Sequence, residues 1–156
     1  MSDTRSAMIE SMRRFPGELE AAVSGLSDAD LHTPYMEGEW TVAQNVHHLA
    51  DSHLHAFIRV KSALLEDRPT FALYDQEVWA TTTDVLEVPI AASMMMLAGL
   101  HERWCALWDS LDDAQWGRVA IHPTSGDRTI ESFLVLYSGH GPGHLDQIRQ
   151  TLAAKP

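Results

Sequence analysis

The sequence is short of cysteine and of basic residues, and each shortage excludes a class of protein. Cys105 is the only cysteine among 156 residues, so no disulfide can form within the chain. That usage suits a reducing cytoplasm. Eleven lysines and arginines stand against 22 aspartates and glutamates, which gives a net charge of −11. This charge repels phosphate backbones and anionic lipid surfaces, so we expect neither nucleic acid nor a membrane as a partner.

Long apolar runs and an N-terminal secretion signal are also missing. No uninterrupted apolar stretch approaches the roughly 20 residues that a membrane-spanning helix needs. The first ten residues contain no cationic segment followed by an apolar run. Hydrophobic residues still make up 45% of the chain and charged residues 21%, values typical of soluble globular proteins. We therefore expect a single cytoplasmic domain over residues 1–156.

Four long segments have helical periodicity, and connections rich in proline, glycine and aspartate separate them. The predicted helices run from about Asp3 to Leu26, from Thr41 to Leu64 or Leu65, from Pro89 to Leu111, and from Thr129 to Ala153. Thr41 and Gln44 have the spacing of a capping box, while Thr129 or Asp127 should cap the last helix. Pro16 should kink the first helix or delay its start. Residues 69–88 are predicted as a loop with a helical turn and residues 118–130 as short extended pieces. The fold class is therefore all-α, with a four-helix bundle as the architecture.

Histidine is abundant, with nine in the chain. His140 and His144 are four residues apart on the last predicted helix, so both rings can reach one ion. Neutral imidazole is the commonest nitrogen ligand of transition metals. A catalytic metal site needs three protein ligands and an open position, so the third must come from a facing helix. The second helix has a cluster of histidines, and the pattern leaves the choice between His47, His48 and His53 open.

The segment between the two histidines of the last helix is unfavourable in a helix interior. Pro142 lacks an N–H and clashes with the carbonyl of Ser138, at a cost of about 3 kcal/mol. Gly141 and Gly143 each cost roughly 1 kcal/mol relative to alanine. We predict a kink or bulge at 138–142 that still presents both rings to one ion.

The third helix contains a sequence that resembles a metalloprotease motif only in part. HERWC at 101–105 begins like HExxH, but Cys105 stands where the second histidine is required, which excludes that class. We expect His101 to be a partly exposed polar position and Cys105 to be a buried structural thiol. The run Met94–Met95–Met96 is expected to fill the core.

The segment GEWTVAQNVHHLADSHLHAFIRVKSALLEDRP, followed by YDQEVWA, resembles the DinB-like superfamily. It is particularly similar to the YfiT-like branch, described as metal-dependent hydrolases and bacillithiol S-transferases. LHERWCALWDSL and HPTSGDRTIESFLVLYSGHGPGHLDQIRQ continue the resemblance in the same order, which covers residues 28–150. The resemblance implies a four-helix bundle with a three-histidine metal site. The second histidine of the HH pair, His48, would be the first ligand, and His140 and His144 the others.

The resemblance also implies one divalent ion per chain, nickel or zinc, and a homodimer. The chain departs from the family between its last two expected ligands. Relatives carry ordinary helix formers or further histidines there, where this chain has Gly141-Pro142-Gly143. Both flanking histidines are retained.

Three neutral imidazoles leave an ion its charge and a vacant position, so the ion acts as a Lewis acid. In a transferase it would activate a low-molecular-weight thiol toward an electrophile, and in a hydrolase it would activate water toward an ester or amide. The resemblance favours thiol transfer. A non-enzymatic dimeric stress-response module with a vestigial site is the alternative from another class. Asp51, Arg59 and Tyr74 are weaker candidates for contacts to a ligand or substrate, since Asp51 could orient an imidazole N–H.

Overall fold

The fold is built from four long helices, and each of them packs against two of the others. The computed structural model describes residues 3–156. Its elements are α1 (Asp3–Val23), α2 (Asp28–His32), α3 (Val42–Leu65), α4 (Gln76–Trp79), α5 (Thr83–Glu87), α6 (Ala91–Asp109), α7 (Asp113–Trp116), β1 (Val119–His122), β2 (Gly126–Thr129) and α8 (Ile130–Ala153). Helices α1 and α3 each pack against both α6 and α8. The predicted four-helix bundle is confirmed, and its arrangement makes α3 and α8 neighbours. Among residues 3–156, no helix has both the length and the apolar character needed to cross a bilayer.

Side-chain caps fix where α3 and α8 begin. Thr41 Oγ1 accepts a hydrogen bond from the Gln44 N–H, and Gln44 Oε1 accepts one from the Thr41 N–H. This is the predicted capping box. At α8, Thr129 Oγ1 accepts from the Ser132 N–H, so Thr129 and not Asp127 is the cap. Both caps satisfy backbone groups that a helix start would otherwise leave unpaired.

Proline occurs inside two of the long helices, and both helices continue through it. Helix α1 begins at Asp3, so Pro16 does not delay its start. Helix α8 is α-helical from Ile130 to Ala153, and the bulge predicted at 138–142 is therefore wrong. A bend of the helix axis at this point stays a prediction.

Gly141 has a packing role that the sequence pattern does not show. A Cβ atom at this position would lie 2.8–2.9 Å from three ring atoms of Phe15 on α1. Real Cβ atoms do not come so close to a ring, so only glycine lets α1 and α8 approach to this distance. At Gly139 and Gly143, an added Cβ would have no neighbour within 4 Å.

The two irregular regions contain more regular structure than expected. The predicted loop at 69–88 includes the short helices α4 and α5. The predicted extended pieces near 118–130 form an antiparallel hairpin of β1 and β2, with Val119 opposite Thr129 and His122 opposite Gly126. An isolated parallel bridge joins Thr70 to Ile121.

Two apolar clusters fill the bundle, and two buried histidines lie where the clusters meet. One cluster contains Trp104, and the other contains Phe15. His53 and His101 are 0% and 2% exposed. Both histidine rings contact Phe15 on one side and Trp104 on the other. A polar layer therefore crosses the apolar core of the bundle.

Two expectations for α6 are wrong and one is confirmed. His101, expected to be partly exposed, is buried. The methionine run does not fill the core throughout, because Met95 is 72% and Met96 is 47% exposed. Cys105 is fully buried as expected, and burial raises the pKa of its thiol to about 11. A thiol with so high a pKa is a poor nucleophile at neutral pH.

Candidate metal centre

Three histidines converge from two neighbouring helices. His48 lies on α3, and His140 and His144 lie one turn apart on α8. One nitrogen from each ring lies within 4.8 Å of the other two. Ring centroids are 4.6 Å apart for His140 and His144, 4.7 Å for His48 and His144, and 5.5 Å for His48 and His140. The structure thus brings together the three residues that the family resemblance implies as ligands.

The donor atoms of this cluster fit a divalent transition-metal ion. His48 Nε2 is buried and has no hydrogen-bond partner among residues 3–156. A buried polar atom without a partner is rare in folded proteins and needs an explanation. Imidazole nitrogens suit zinc, nickel, copper and iron, and three of them leave room for a substrate on the ion. A coordinated ion would supply the partner that His48 Nε2 lacks.

Burial keeps the three rings neutral. Desolvation, and to a smaller extent the neighbouring His144, lower the pKa of His48 to about 4. The same causes lower the pKa of His140 to about 3, with His144 and His48 both contributing. Burial also lowers the pKa of His144. Because only an unprotonated nitrogen binds a metal, the site is ready for coordination at neutral pH.

Hydrogen bonds on their outer sides orient the two rings of α8. Asn45 Oδ1 lies 2.8 Å from His144 Nδ1, and Asn45 Nδ2 donates to the carbonyl of Thr41 at 3.0 Å. The oxygen of this amide therefore faces the ring. His53 Nε2 lies 3.1 Å from His140 Nδ1. With both Nδ1 atoms held from outside, the Nε2 atoms remain for the centre of the cluster.

An aromatic ring covers one side of the cluster. The Trp40 ring lies 4.7 Å from that of His48 and stacks on that of His144 at 6.2 Å. Trp40 Nε1 donates to Glu77 at 2.9 Å. A surface cavity of about 130 Å³ adjoins this ring and is lined by Gly38, Glu39, Trp40, Gln76, Glu77, His144 and Gln147. Since His144 belongs to that lining, solvent and small solutes reach the edge of the cluster.

An orienting role for Asp51 stays a prediction. The hydrogen bonds to the rings of α8 come from Asn45 and His53, and none comes from Asp51 among the described residues. Asp51 is half-buried on α3. Burial, and to a smaller extent the nearby Asp84, raise the pKa of its carboxyl to about 6.

Arg59 lies further along α3, Tyr74 lies in the segment before α4, and neither belongs to the three-histidine cluster. Arg59 Nη2 donates to the carbonyl of Ala72 at 2.7 Å, and its guanidinium lies 4.4 Å from the centroid of Phe71. Tyr74 stacks on His55 at 4.5 Å. Arg59, Phe71 and His55 help to line a larger cavity of about 350 Å³. A role of Arg59 or Tyr74 in substrate binding stays a prediction.

Sequence reasoning missed three residues that lie near the cluster, Trp40, Asn45 and the buried His101, and it did not predict the place of His53. A local signal existed only for Asn45, which lies three residues before His48 and so shares its face of α3. The contacts of Trp40 and His101 join distant parts of the chain, and no spacing rule reports them. His53 was recognised as one of three possible ligands, whereas the structure places it behind His140.

Comparisons with known proteins agree with this fold and site. The model of the DinB superfamily matches residues 11–148. A Geobacillus thermodenitrificans protein named "putative metal-dependent hydrolase" is 43% identical over 142 residues, which are 90% of this chain and 79% of that protein. YfiT of Bacillus subtilis, named in the same way, is 37% identical over 149 residues, which are 95% of this chain and 84% of YfiT.

The solved structure of Bacillus subtilis YfiT has the same fold. It superposes with a TM-score of 0.92 at 37% identity and covers 97% of this chain and 87% of that chain. It is described as a probable metal-dependent hydrolase with an unusual four-helix bundle topology. The family match over residues 11–148 and this likeness together show that the chain belongs to the DinB superfamily.

Proposed function

We propose that the protein is a metal-dependent enzyme that transfers a low-molecular-weight thiol to a small electrophile. His48, His140 and His144 would hold one divalent ion, nickel or zinc. The observation that carries the proposal is the meeting of three neutral imidazole nitrogens within 4.8 Å, one of them the unpaired and buried His48 Nε2. An ion bound there supplies a Lewis acid that lowers the pKa of a thiol or of water.

The composition of the cluster supports thiol chemistry. It consists of imidazoles alone, and burial keeps them uncharged. Neutral ligands leave the full positive charge of an ion in the site, which favours a substrate that binds as an anion. Trp40 covers one side of the cluster and removes solvent from it, which strengthens that attraction.

Hydrolysis is the second candidate, and the names of the relatives favour it. YfiT is described as a probable metal-dependent hydrolase. In this reaction, water would take the place of the thiol and attack an ester or amide. Both reactions would use the same three histidines, so which reaction occurs depends on whether a thiol or water binds to the ion.

An assay with two substrate types separates the candidates. The protein is loaded with Ni²⁺ or Zn²⁺ and given monochlorobimane with glutathione, bacillithiol, mycothiol or coenzyme A, or p-nitrophenyl acetate without a thiol. We expect conjugation of at least one thiol that requires the metal. His144→Ala should abolish it, and His32→Ala should not, because His32 is an exposed histidine on α2 and is not part of the cluster.

Other results would assign the site differently. Metal-dependent ester hydrolysis without thiol conjugation would identify a hydrolase. Absence of both reactions in the metal-loaded protein would contradict the enzyme proposal and favour a non-enzymatic module.

A further inference from the structure

A chain of hydrogen bonds leads from the backbone of α1 to one of the three clustered histidines. His101 Nδ1 lies 2.7 Å from the carbonyl oxygen of Met12, and His101 Nε2 lies 2.7 Å from His53 Nδ1. His53 Nε2 in turn lies 3.1 Å from His140 Nδ1. We call His101, His53 and His140 the histidine relay. Together with Met12 it contains one residue from each of the four long helices.

A proline makes the first carbonyl of this chain available. In a regular α-helix, the carbonyl of residue 12 accepts a hydrogen bond from the N–H of residue 16. Residue 16 is Pro16, which has no N–H. His101 Nδ1 therefore supplies the hydrogen bond that α1 itself cannot make. This contact explains how α1 tolerates Pro16, because His101 supplies the hydrogen bond that the carbonyl of Met12 would otherwise lack.

The carbonyl of Met12 fixes the direction of every bond in the relay. A carbonyl only accepts, so the proton of His101 is on Nδ1. A neutral imidazole has one N–H, so His101 Nε2 accepts from the Nδ1–H of His53. By the same rule, His53 Nε2 accepts from the Nδ1–H of His140. His140 Nε2 is then left with its lone pair.

The surroundings of the relay support neutral rings. Burial, and then the neighbouring imidazoles, lower the pKa of His53 well below its ordinary value. Burial likewise lowers the pKa of His101. With the rings in this arrangement, a second proton on His101 or His53 would place its Nε2–H against the Nδ1–H of the next ring. Among arrangements of neutral rings, the only one with three complete hydrogen bonds is therefore the one in which every ring carries its proton on Nδ1.

We propose that His101 and His53 are positioning residues that lock His140 in its Nδ1–H tautomer and direct the Nε2 lone pair toward the metal ion. A free neutral histidine side chain prefers the Nε2–H tautomer, in which Nε2 cannot coordinate. Only the final step, coordination by His140, rests on the proposed function. The tautomer itself is a property of the metal-free protein.

The first test reads the tautomers directly. Metal-free protein with ¹⁵N-labelled histidine is examined by long-range ¹H–¹⁵N correlation NMR at neutral pH, which distinguishes Nδ1–H from Nε2–H rings. We expect the Nδ1–H pattern for His53, His101 and His140. An Nε2–H pattern at His140 would overturn the proposal, whether or not the protein binds metal.

Two substitutions at one position test the relay at a distance. His101→Leu removes the acceptor for His53, so His140 should lose its fixed Nδ1–H tautomer. Zn²⁺ affinity, measured by competition with a chromogenic chelator, should fall by about 10- to 100-fold. His101→Gln offers an amide oxygen to His53 and should retain the His140 tautomer and most of the affinity.

The outcomes are separable from those of the proposed function. An unchanged tautomer and unchanged Zn²⁺ affinity in His101→Leu would overturn the relay. Failure of the wild-type protein to bind Zn²⁺ would contradict the proposed function, while the NMR result would still decide the tautomers. If His101→Leu does not fold, the wild-type spectrum alone remains decisive.

Discussion

The His48 ring contacts two other imidazoles and an indole, and its buried Nε2 atom has no hydrogen-bond partner among residues 3–156. Leaving such an atom unpaired costs about 1–3 kcal/mol of stability. Proteins keep local costs of this kind mainly at functional sites. At the scale of single residues, this nitrogen is the strongest indication that the cluster binds something.

Asn45 offers a test of the outer hydrogen bonds. Asn45→Leu removes the acceptor from His144 Nδ1, and we expect metal affinity to fall by about 10- to 100-fold. Asn45→Asp keeps an acceptor at the same place, so its metal affinity should be close to that of the wild-type protein. Competition with a chelator for Zn²⁺ measures both. Equal affinity of Asn45→Leu and wild type would show that this hydrogen bond does not orient the ligand.

The individual residues of the site differ in how far the sequence predicts them. The spacing of His140 and His144 follows from helix periodicity, and the family resemblance selected His48 among the histidines of α3. The partners behind them could not be found in this way, because His53 meets His101 and His140 only after α3, α6 and α8 have packed together. The burial of His101 could not be predicted, because α6 is apolar over much of its circumference and its sequence does not show which face of the helix points toward the core.

At the scale of secondary-structure elements, the contact between α1 and α8 explains the unfavourable segment of α8 in part. Gly141 allows the ring of Phe15 to lie against the helix backbone. The expected bulge arose from local propensities, which penalise glycine and proline in any helix interior. Tertiary packing overrides these propensities, since the helix remains continuous from Ile130 to Ala153.

Alanine substitutions at two glycines of α8 test this account. Gly141→Ala gains about 1 kcal/mol of helix propensity but forces its Cβ into the Phe15 ring, and overpacking of this kind costs about 1–3 kcal/mol. We expect a net loss in the free energy of unfolding. Gly139→Ala has open space around its Cβ and should gain up to about 1 kcal/mol. Urea denaturation of both variants measures the difference, and equal stabilities would show that the Phe15 contact does not require glycine.

The element boundaries show what local sequence signals determine. The capping threonines predicted the starts of α3 and α8, because a cap is an interaction between residues close in sequence. Helix α6 begins at Ala91 and not at Pro89, and the region predicted as a loop with one helical turn contains two short helices, α4 and α5. Short helices of four or five residues carry too few periodic positions to be recognised.

At the scale of the whole molecule, the order of helix packing creates the site. Helices α3 and α8 are distant in sequence and adjacent in space, and their contact brings His48 to His140 and His144. The histidine relay then ties this contact to α1 and α6. Composition and periodicity predict a helical bundle, but which helices are neighbours follows only from the structure or from a relative such as YfiT.

The most direct test of the account is the metal content of the purified protein and of matched variants. Metal-free protein is loaded with Zn²⁺ or Ni²⁺, unbound metal is removed by gel filtration, and bound metal is measured by inductively coupled plasma mass spectrometry. Circular dichroism confirms that each variant is folded. We predict one ion per chain in wild type and in His32→Ala, and loss of the bound ion in His48→Ala and His144→Ala. Equal metal content in wild type and both cluster variants would contradict the three-histidine site.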